Sequence, residues 1–311
     1  MLLTKLIFFT VGMFAIVKGA DWFTDSAVWI AKKTGIPKVI IGATIVSLAT
    51  TLPEFAVSVY ASFSGHPEMS LGNAVGSNIF NIGMILGLTL IIHSYPTTPK
   101  IISKKALFML TAGILALLTS LDGEINQFDG FLLLTVLIGY ILFLILHSKK
   151  NIVFVEKTEV KGTFKKNLIK FIAGSVLVII GSRIVVNSGV WLAKYFGVPE
   201  IFIALTLVAL GTSLPELVTS LTATLKGYQE LSIGNIIGAN LLNIGWVTSV
   251  SAMVNPISIS TKNLILDFPF MLAFMGLLLL FGLTKDHLSR LEGMIFLTLY
   301  ATYITILFGT L

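Results

Sequence analysis

Glu54 and Glu216 each stand directly after a proline inside a strongly apolar stretch, in the pentapeptides TTLPE (residues 50–54) and TSLPE (residues 212–216). A carboxylate at membrane depth is costly and by default marks a substrate or ion pathway. On a helix, Ser47, Thr50, Thr51 and Glu54 fall on one stripe, because they lie three, four and seven residues apart. Pro53 has no N–H, so it frees the carbonyl of Ala49. Pro215 does the same for Gly211, beside Thr212 and Ser213, and a kink or break in each helix is expected there. Carboxylate, hydroxyl and freed carbonyl oxygens gathered in this way are the ligands a hard cation requires.

A second pattern follows each pentapeptide: G-N-x-x-G-[SA]-N-x-x-N-I-G, at residues 72–83 and 234–245. Gly72 with Gly76, and Gly234 with Gly238, form GxxxG pairs that let backbones approach closely. Ser77 and Asn81 share a helix face, and Ala239 and Asn243 take the matching places in the second copy. Together the copies hold two carboxylates, two amides and several hydroxyls and carbonyls, enough for the six to eight oxygen ligands of Ca²⁺. The chain has no cysteine, and its four histidines fall near the ends of apolar spans, so no soft ligand favours copper, zinc or iron. Two ionised glutamates close together repel in a low-dielectric site. One Ca²⁺, two Na⁺ or two H⁺ would each neutralise them. These ions would compete for one pair of carboxylates, and such competition is the basis of exchange.

The elements that position these residues are repeated. Residues 42–83 align with 204–245 without a gap at an offset of 162, with 19 identities in 42 positions. The repeat extends upstream, where Gly19, Ser26, Trp29, Ala31, Lys32, Gly35 and Pro37 match residues 162 positions later. With 55% hydrophobic residues, 12% charged residues and a mean hydropathy of +0.95, the chain reads as a polytopic all-α membrane protein. At about 20 residues per crossing, spans are expected near 4–28, 39–63, 71–92, 104–120 and 128–147. Five more are expected near 168–190, 200–225, 232–253, 263–283 and 291–310. This divides the chain into a first five-helix repeat (1–147), a cytoplasmic linker (148–167) and a second repeat (168–311). An odd number of crossings per repeat inverts the second half relative to the first. The first stretch lacks a small-residue cleavage site and reads as a retained helix.

Of the 21 lysines and arginines, sixteen fall on one side of this arrangement, among them Lys32, Lys33, Lys38, Lys104, Lys105 and Lys226. Only Lys5, Lys194 and Lys262 fall on the other, and Lys18 and Arg183 lie within spans. The positive-inside rule then places both termini outside the cell membrane. The net charge of +6 is a topology signal and needs no nucleic-acid partner. Membrane lipid is the expected surrounding, and no obligate protein partner is inferred. Lys18, Asp21, Asp25 and Arg183 are expected to be ion-pair partners or interface residues outside the site.

The two pentapeptides and the two glycine–asparagine patterns resemble the paired repeats of the Ca²⁺/cation antiporter superfamily, and are closest to prokaryotic sodium/calcium exchangers. The resemblance covers the whole chain. It implies two inverted five-helix repeats with the second, third, seventh and eighth helices around the ions. It implies Ca²⁺ held by Glu54, Glu216 and oxygens of Thr50 and Thr212. It further implies flanking Na⁺ sites with oxygens from Ser47, Thr51, Ser77, Ser213 and, through its carbonyl, Ala209, with Asn81 and Asn243 lining the centre. The first and sixth helices resemble a mobile pair, in which Gly12, Gly19, Gly174 and Gly181 suit either a sliding surface or plain packing.

Three positions depart from the family pattern. Ala239 stands where a serine is common, Asn243 where some members carry aspartate, and Ala49-Thr50-Thr51 where the second repeat keeps Gly-Thr-Ser. They raise the expectation of fewer than three Na⁺ per Ca²⁺, or of H⁺ as part of the coupling. The expected function is therefore a secondary antiporter, not an enzyme, without a cofactor and carrying Ca²⁺ against Na⁺. The alternatives are a Ca²⁺/H⁺ exchanger, disfavoured because GNAVGSN lacks an acidic residue, and a cation channel. An intramembrane hydrolase would need a His or Lys beside a Ser at membrane depth, and none is present.

Overall fold

The computed structural model describes residues 1–96, 99–151, 162–197, 209–284 and 287–309. They form ten helices. The first five are α1 (Leu2–Thr34), α2 (Lys38–Phe63), α3 (Pro67–Ile92), α4 (Pro99–Thr119) and α5 (Gln127–Asn151). The second five are α6 (Phe164–Tyr195), α7 (Ala209–Leu225), α8 (Gln229–Val254), α9 (Asn263–Thr284) and α10 (Arg290–Gly309). Among the described residues, eight of the ten are long and apolar enough to cross a membrane. The other two are α4, which opens with Lys100, Lys104 and Lys105, and α7, which is described over 17 residues. Half of the expected linker, residues 152–161, lies outside the described residues, as does the start of the expected span at 200–225.

Local chemistry sets the ends of these helices. α1 runs past the expected residue 28 to Thr34, where Gly35 at φ 75° closes it by donating its N–H to the Ala31 carbonyl. The tight α2–α3 and α7–α8 turns use Gly65 at φ 85° and Gly227 at φ 77°. Large apolar side chains such as Phe14, Leu118, Phe131 and Ile180 lie on the outer surface. Many serines, threonines and asparagines and both site glutamates are buried. That distribution suits a lipid solvent, where polar groups must find partners inside the protein.

Inversion is visible in the packing. α1 and α6 run antiparallel, with Gly12 against Gly181 and Gly19 against Gly174. An offset of 162 carries Gly12 onto Gly174 and Gly19 onto Gly181, so the two contacts are exchanged by a pseudo-two-fold axis. A Cβ at any of the four would meet an atom of the opposite helix at 2.7–2.9 Å, so these glycines bind α1 to α6. The same axis relates two short antiparallel pairs: β1 (Tyr95–Pro96) with β4 (His287–Leu288), and β2 (Glu124–Ile125) with β3 (Ile257–Ser258). Each pair staples one half of the molecule to the other.

The expected proline breaks do not occur. α2 continues through Pro53, and the described part of α7 continues through Pro215. The irregularity in α2 lies upstream, in a π-helical turn at Gly42–Val46. α3 and α8 carry matching π turns at Asn81–Leu86 and Asn243–Thr248. A π turn holds one extra residue and re-aims the side chains around it without opening the helix, and such turns gather at functional sites. In α8 the wide turn is supported by the Thr248 hydroxyl, which donates to the Asn243 carbonyl at 2.9 Å.

Candidate ion-binding site

α2, α3, α7 and α8 meet in the middle of the molecule, and each brings one polar stripe. Glu54 and Glu216 are both 1% exposed. Their hydrogen bonds cross between the halves. The Ser213 hydroxyl of α7 donates to Glu54 Oε1 at 3.1 Å, and the Thr51 hydroxyl of α2 donates to Glu216 Oε1 at 3.3 Å. Each donor sits three residues before the other carboxylate, so the crossing bonds draw the two acids side by side. Ser213 also lies 2.9 Å from the Ser77 hydroxyl of α3. The place matching Ser77 in the second half is Ala239, which has no hydroxyl to offer Thr51.

Four asparagines that the sequence reading did not single out hold this arrangement. Thr50 Oγ1 donates to Asn235 Oδ1 at 3.2 Å, and Asn235 Nδ2 donates to Ser220 Oγ at 3.2 Å. In the other half, Thr212 Oγ1 donates to Asn73 Oδ1 at 3.0 Å, and Asn73 Nδ2 to Ser58 Oγ at 2.9 Å. Deeper in, Asn81 Nδ2 donates to Asn240 Oδ1 at 2.9 Å and Asn243 Nδ2 to Asn78 Oδ1 at 3.1 Å. Every one of these bonds has a mate 162 residues away. The signal was present in the repeated pattern, because Asn73, Asn78, Asn235 and Asn240 are among its constant letters.

With those bonds made, four buried acceptors have no partner: Glu54 Oε2, Glu216 Oε2, Asn81 Oδ1 and Asn243 Oδ1. Buried acceptors without a donor are strongly disfavoured, and a bound cation relieves that cost. Two carboxylates with neutral amide and hydroxyl oxygens suit a hard cation. Among the described residues no group of three or more His, Cys, Asp or Glu occurs, so two formal charges are what the centre contains.

Not every expected residue joins this network. Ser47 is buried, but its hydroxyl donates to the Thr44 carbonyl at 3.1 Å and faces Gly238. Ala209 is the first described residue of α7, and residues 198–208 before it lie outside the described residues. Of the expected close glycine contacts, one pair is made. Gly234 abuts the Val39 carbonyl, and a Cβ at Gly238 would lie 2.7 Å from Ala43 Cα. Around Gly72 and Gly76 nothing among the described residues lies within 4 Å of the Cβ position.

Known proteins share this architecture. The family described as sodium/calcium exchanger protein matches the chain twice, over residues 4–146 and 166–309. The sodium/calcium exchanger MaX1 of Methanosarcina acetivorans is 29% identical over 99% of both chains. The inner membrane protein YrbG of Escherichia coli K12 is 32% identical, covering 84% of this chain and 83% of its own length. A structure of the sodium-calcium exchanger NCX_Mj, soaked with 10 mM Na⁺ and no Ca²⁺, superposes with a TM-score of 0.86 at 31% identity, over 98% of this chain and 99% of that one. Two matches to one family model, one per half, account for the crossing carboxylates: the chain belongs to the sodium/calcium exchanger family.

Proposed function

We propose that this protein is a secondary antiporter that exchanges Ca²⁺ for Na⁺ by alternating access, with Glu54 and Glu216 as the shared ligands. The observation that carries this reading is the pair of buried carboxylates, one from each inverted half, with one oxygen of each left without a donor. One Ca²⁺ or two Na⁺ satisfies the same two charges, so the ions displace one another. Thr50 and Thr212 add oxygens next to the carboxylates. Asn81 and Asn243 supply neutral oxygens toward the centre. Ser77, Ser213 and Thr51 flank it, and the Ala209 carbonyl and Ser47 complete the assigned set. Because the centre has two formal charges and Ala239 removes one hydroxyl, the Na⁺ count per Ca²⁺ is below three, or H⁺ takes part.

The two five-helix repeats act as the two units of the switch, joined by a cytoplasmic linker at 148–167. Both termini face outward, a reading supported by the distribution of basic residues. In that orientation the α7–α8 turn and the Gly234 end of α8 lie on the cytosolic side, and Gly72 lies toward the outside.

Uptake of labelled Ca²⁺ into proteoliposomes under outward Na⁺, K⁺ and pH gradients tests the function. Na⁺ should drive uptake and K⁺ should not. Glu54→Gln and Glu216→Gln should each lower the Na⁺-driven rate by at least ~100-fold while the protein still inserts, as loss of one of two charged ligands implies. Wild-type flux in either variant would refute the site, and flux driven by pH alone would refute Na⁺ as the coupling ion.

A further inference from the structure

At one end, charge ties α1 to the helices around the ions. Lys226, in the turn after α7, places its Nζ 3.0 Å from Asp21 Oδ1 and 2.8 Å from Asp25 Oδ1, both on α1. The same ammonium reaches the Asp21 carbonyl at 3.5 Å, so its three donors have three acceptors on one face of α1. Burial alone would lower the pKa of this lysine, but its hydrogen bonds to Asp25 and Asp21 outweigh that effect and hold it above the ordinary value. Behind the contact lies an apolar cluster in which Phe23, Ala27 and Ile30 of α1 pack with Ile41, Ala223 and Leu231.

The pseudo-two-fold axis predicts a counterpart at the other end, and the sequence forbids it. An offset of 162 carries Asp21 to Arg183 and Asp25 to Asn187 on α6, while the position equivalent to Lys226 is Ser64. Ser64 carries no charge and neither Arg183 nor Asn187 is a carboxylate, so these positions cannot form the equivalent ion pair. A contact present in one of two otherwise equivalent end states shifts the balance between them by its own free energy.

We propose that Lys226, Asp21 and Asp25 form a one-sided latch that clamps α1 to the α7–α8 turn and biases the exchanger toward the state in which that end is closed. Lys226 is a positioning residue: it touches no ion-site oxygen and acts through α1. The inference rests on the alternating-access reading above. It adds that the two end states of this chain are unequal in energy, and that three residues outside the site set much of the difference.

The absence of cysteine makes the test clean. In an Ala223→Cys background, the rate of alkylation of purified protein by N-ethylmaleimide reports how often the closed end opens. Adding Lys226→Gln should raise that rate about five-fold, the effect of losing a partly exposed ion pair. Asp21→Asn with Asp25→Asn should do the same from the other partner. The charge swap Lys226→Asp with Asp25→Lys should return the rate toward that of the parent. High salt should accelerate labelling of the parent and leave Lys226→Gln unchanged. An unaltered rate in both neutralised variants, or a swap that labels as fast as they do, overturns the latch. The assay requires no flux, so failure of the latch and failure of Na⁺/Ca²⁺ exchange are read separately.

Discussion

Gly72 and Gly76 in α3, and Gly234 and Gly238 in α8, occupy the same letters of the same repeated pattern, yet their surroundings differ. The second pair is pressed against the backbone of α2 at Val39 and Ala43, where a Cβ cannot be added without movement. The first pair is less buried, and Ile201 and Leu205, which match Val39 and Ala43 at the offset of 162, lie outside the described residues. The difference reaches the ion site: Thr50 and Asn235 are 3% and 1% exposed, whereas their counterparts Thr212 and Asn73 are only partly buried. Two nearly identical sequences thus differ in how deeply their site residues are buried. In an inverted-repeat transporter, exchange of those roles between the halves is the switch from one facing state to the other.

Substitutions in the two halves test this difference. The largest effect is expected at the closed contact. Gly234→Ala should force α8 off α2 and cost about 1–3 kcal/mol of stability, read as a lowered Tm in detergent. Gly72→Ala should leave Tm unchanged or slightly raised, since no described residue lies within 4 Å of the added methyl and alanine is the better helix former by about 1 kcal/mol. It should nonetheless slow Na⁺-driven Ca²⁺ flux, because the opposite state needs Gly72 to pack as Gly234 does now. Equal flux in Gly72→Ala and wild type would argue that the halves do not trade roles.

An intermediate effect is expected from the asparagines. Asn235→Ala leaves the Thr50 and Ser220 hydroxyls short of a buried partner and should cost about 1–3 kcal/mol. Asn73→Ala should cost less, because its surroundings admit water. Denaturation midpoints of the two variants measure the difference, and equal losses would erase the asymmetry at the site. The smallest effect is expected at Ala239. Ala239→Ser supplies the hydroxyl that Ser77 supplies in the other half, and the Na⁺ concentration at half-maximal exchange should fall by about two- to five-fold, the worth of one hydrogen-bonding ligand. No change, or a rise, would show that the missing hydroxyl does not limit Na⁺ binding.

Much of the site was legible because it is local. Thr51 and Glu54, or Ser213 and Glu216, are brought onto one stripe by helical spacing alone. The inversion was legible because an odd number of spans allows nothing else. The prolines misled: Pro53 and Pro215 suggested breaks, but the helices absorb the missing N–H and place their wide turns at Gly42, Asn81 and Asn243 instead. The asparagine bonds from Thr50 to Asn235 and from Thr212 to Asn73 went unread because their partners are 185 and 139 residues apart. Asp21 and Asp25 were expected to be ion-pair partners or interface residues, and nothing in the chain near them pointed to Lys226, 201 residues beyond Asp25.

What the chain determined by itself is the set of groups and their symmetry: two acids, their flanking hydroxyls, the constant asparagines and an inverted duplication. These follow from residue type and helical period. Which of the two equivalent ends is closed is a property of neither repeat alone. That is decided by long-range packing, where α8 meets α2 and buries Gly234 and Gly238, and where a lysine in one turn finds two carboxylates whose symmetry mates are an arginine and an asparagine.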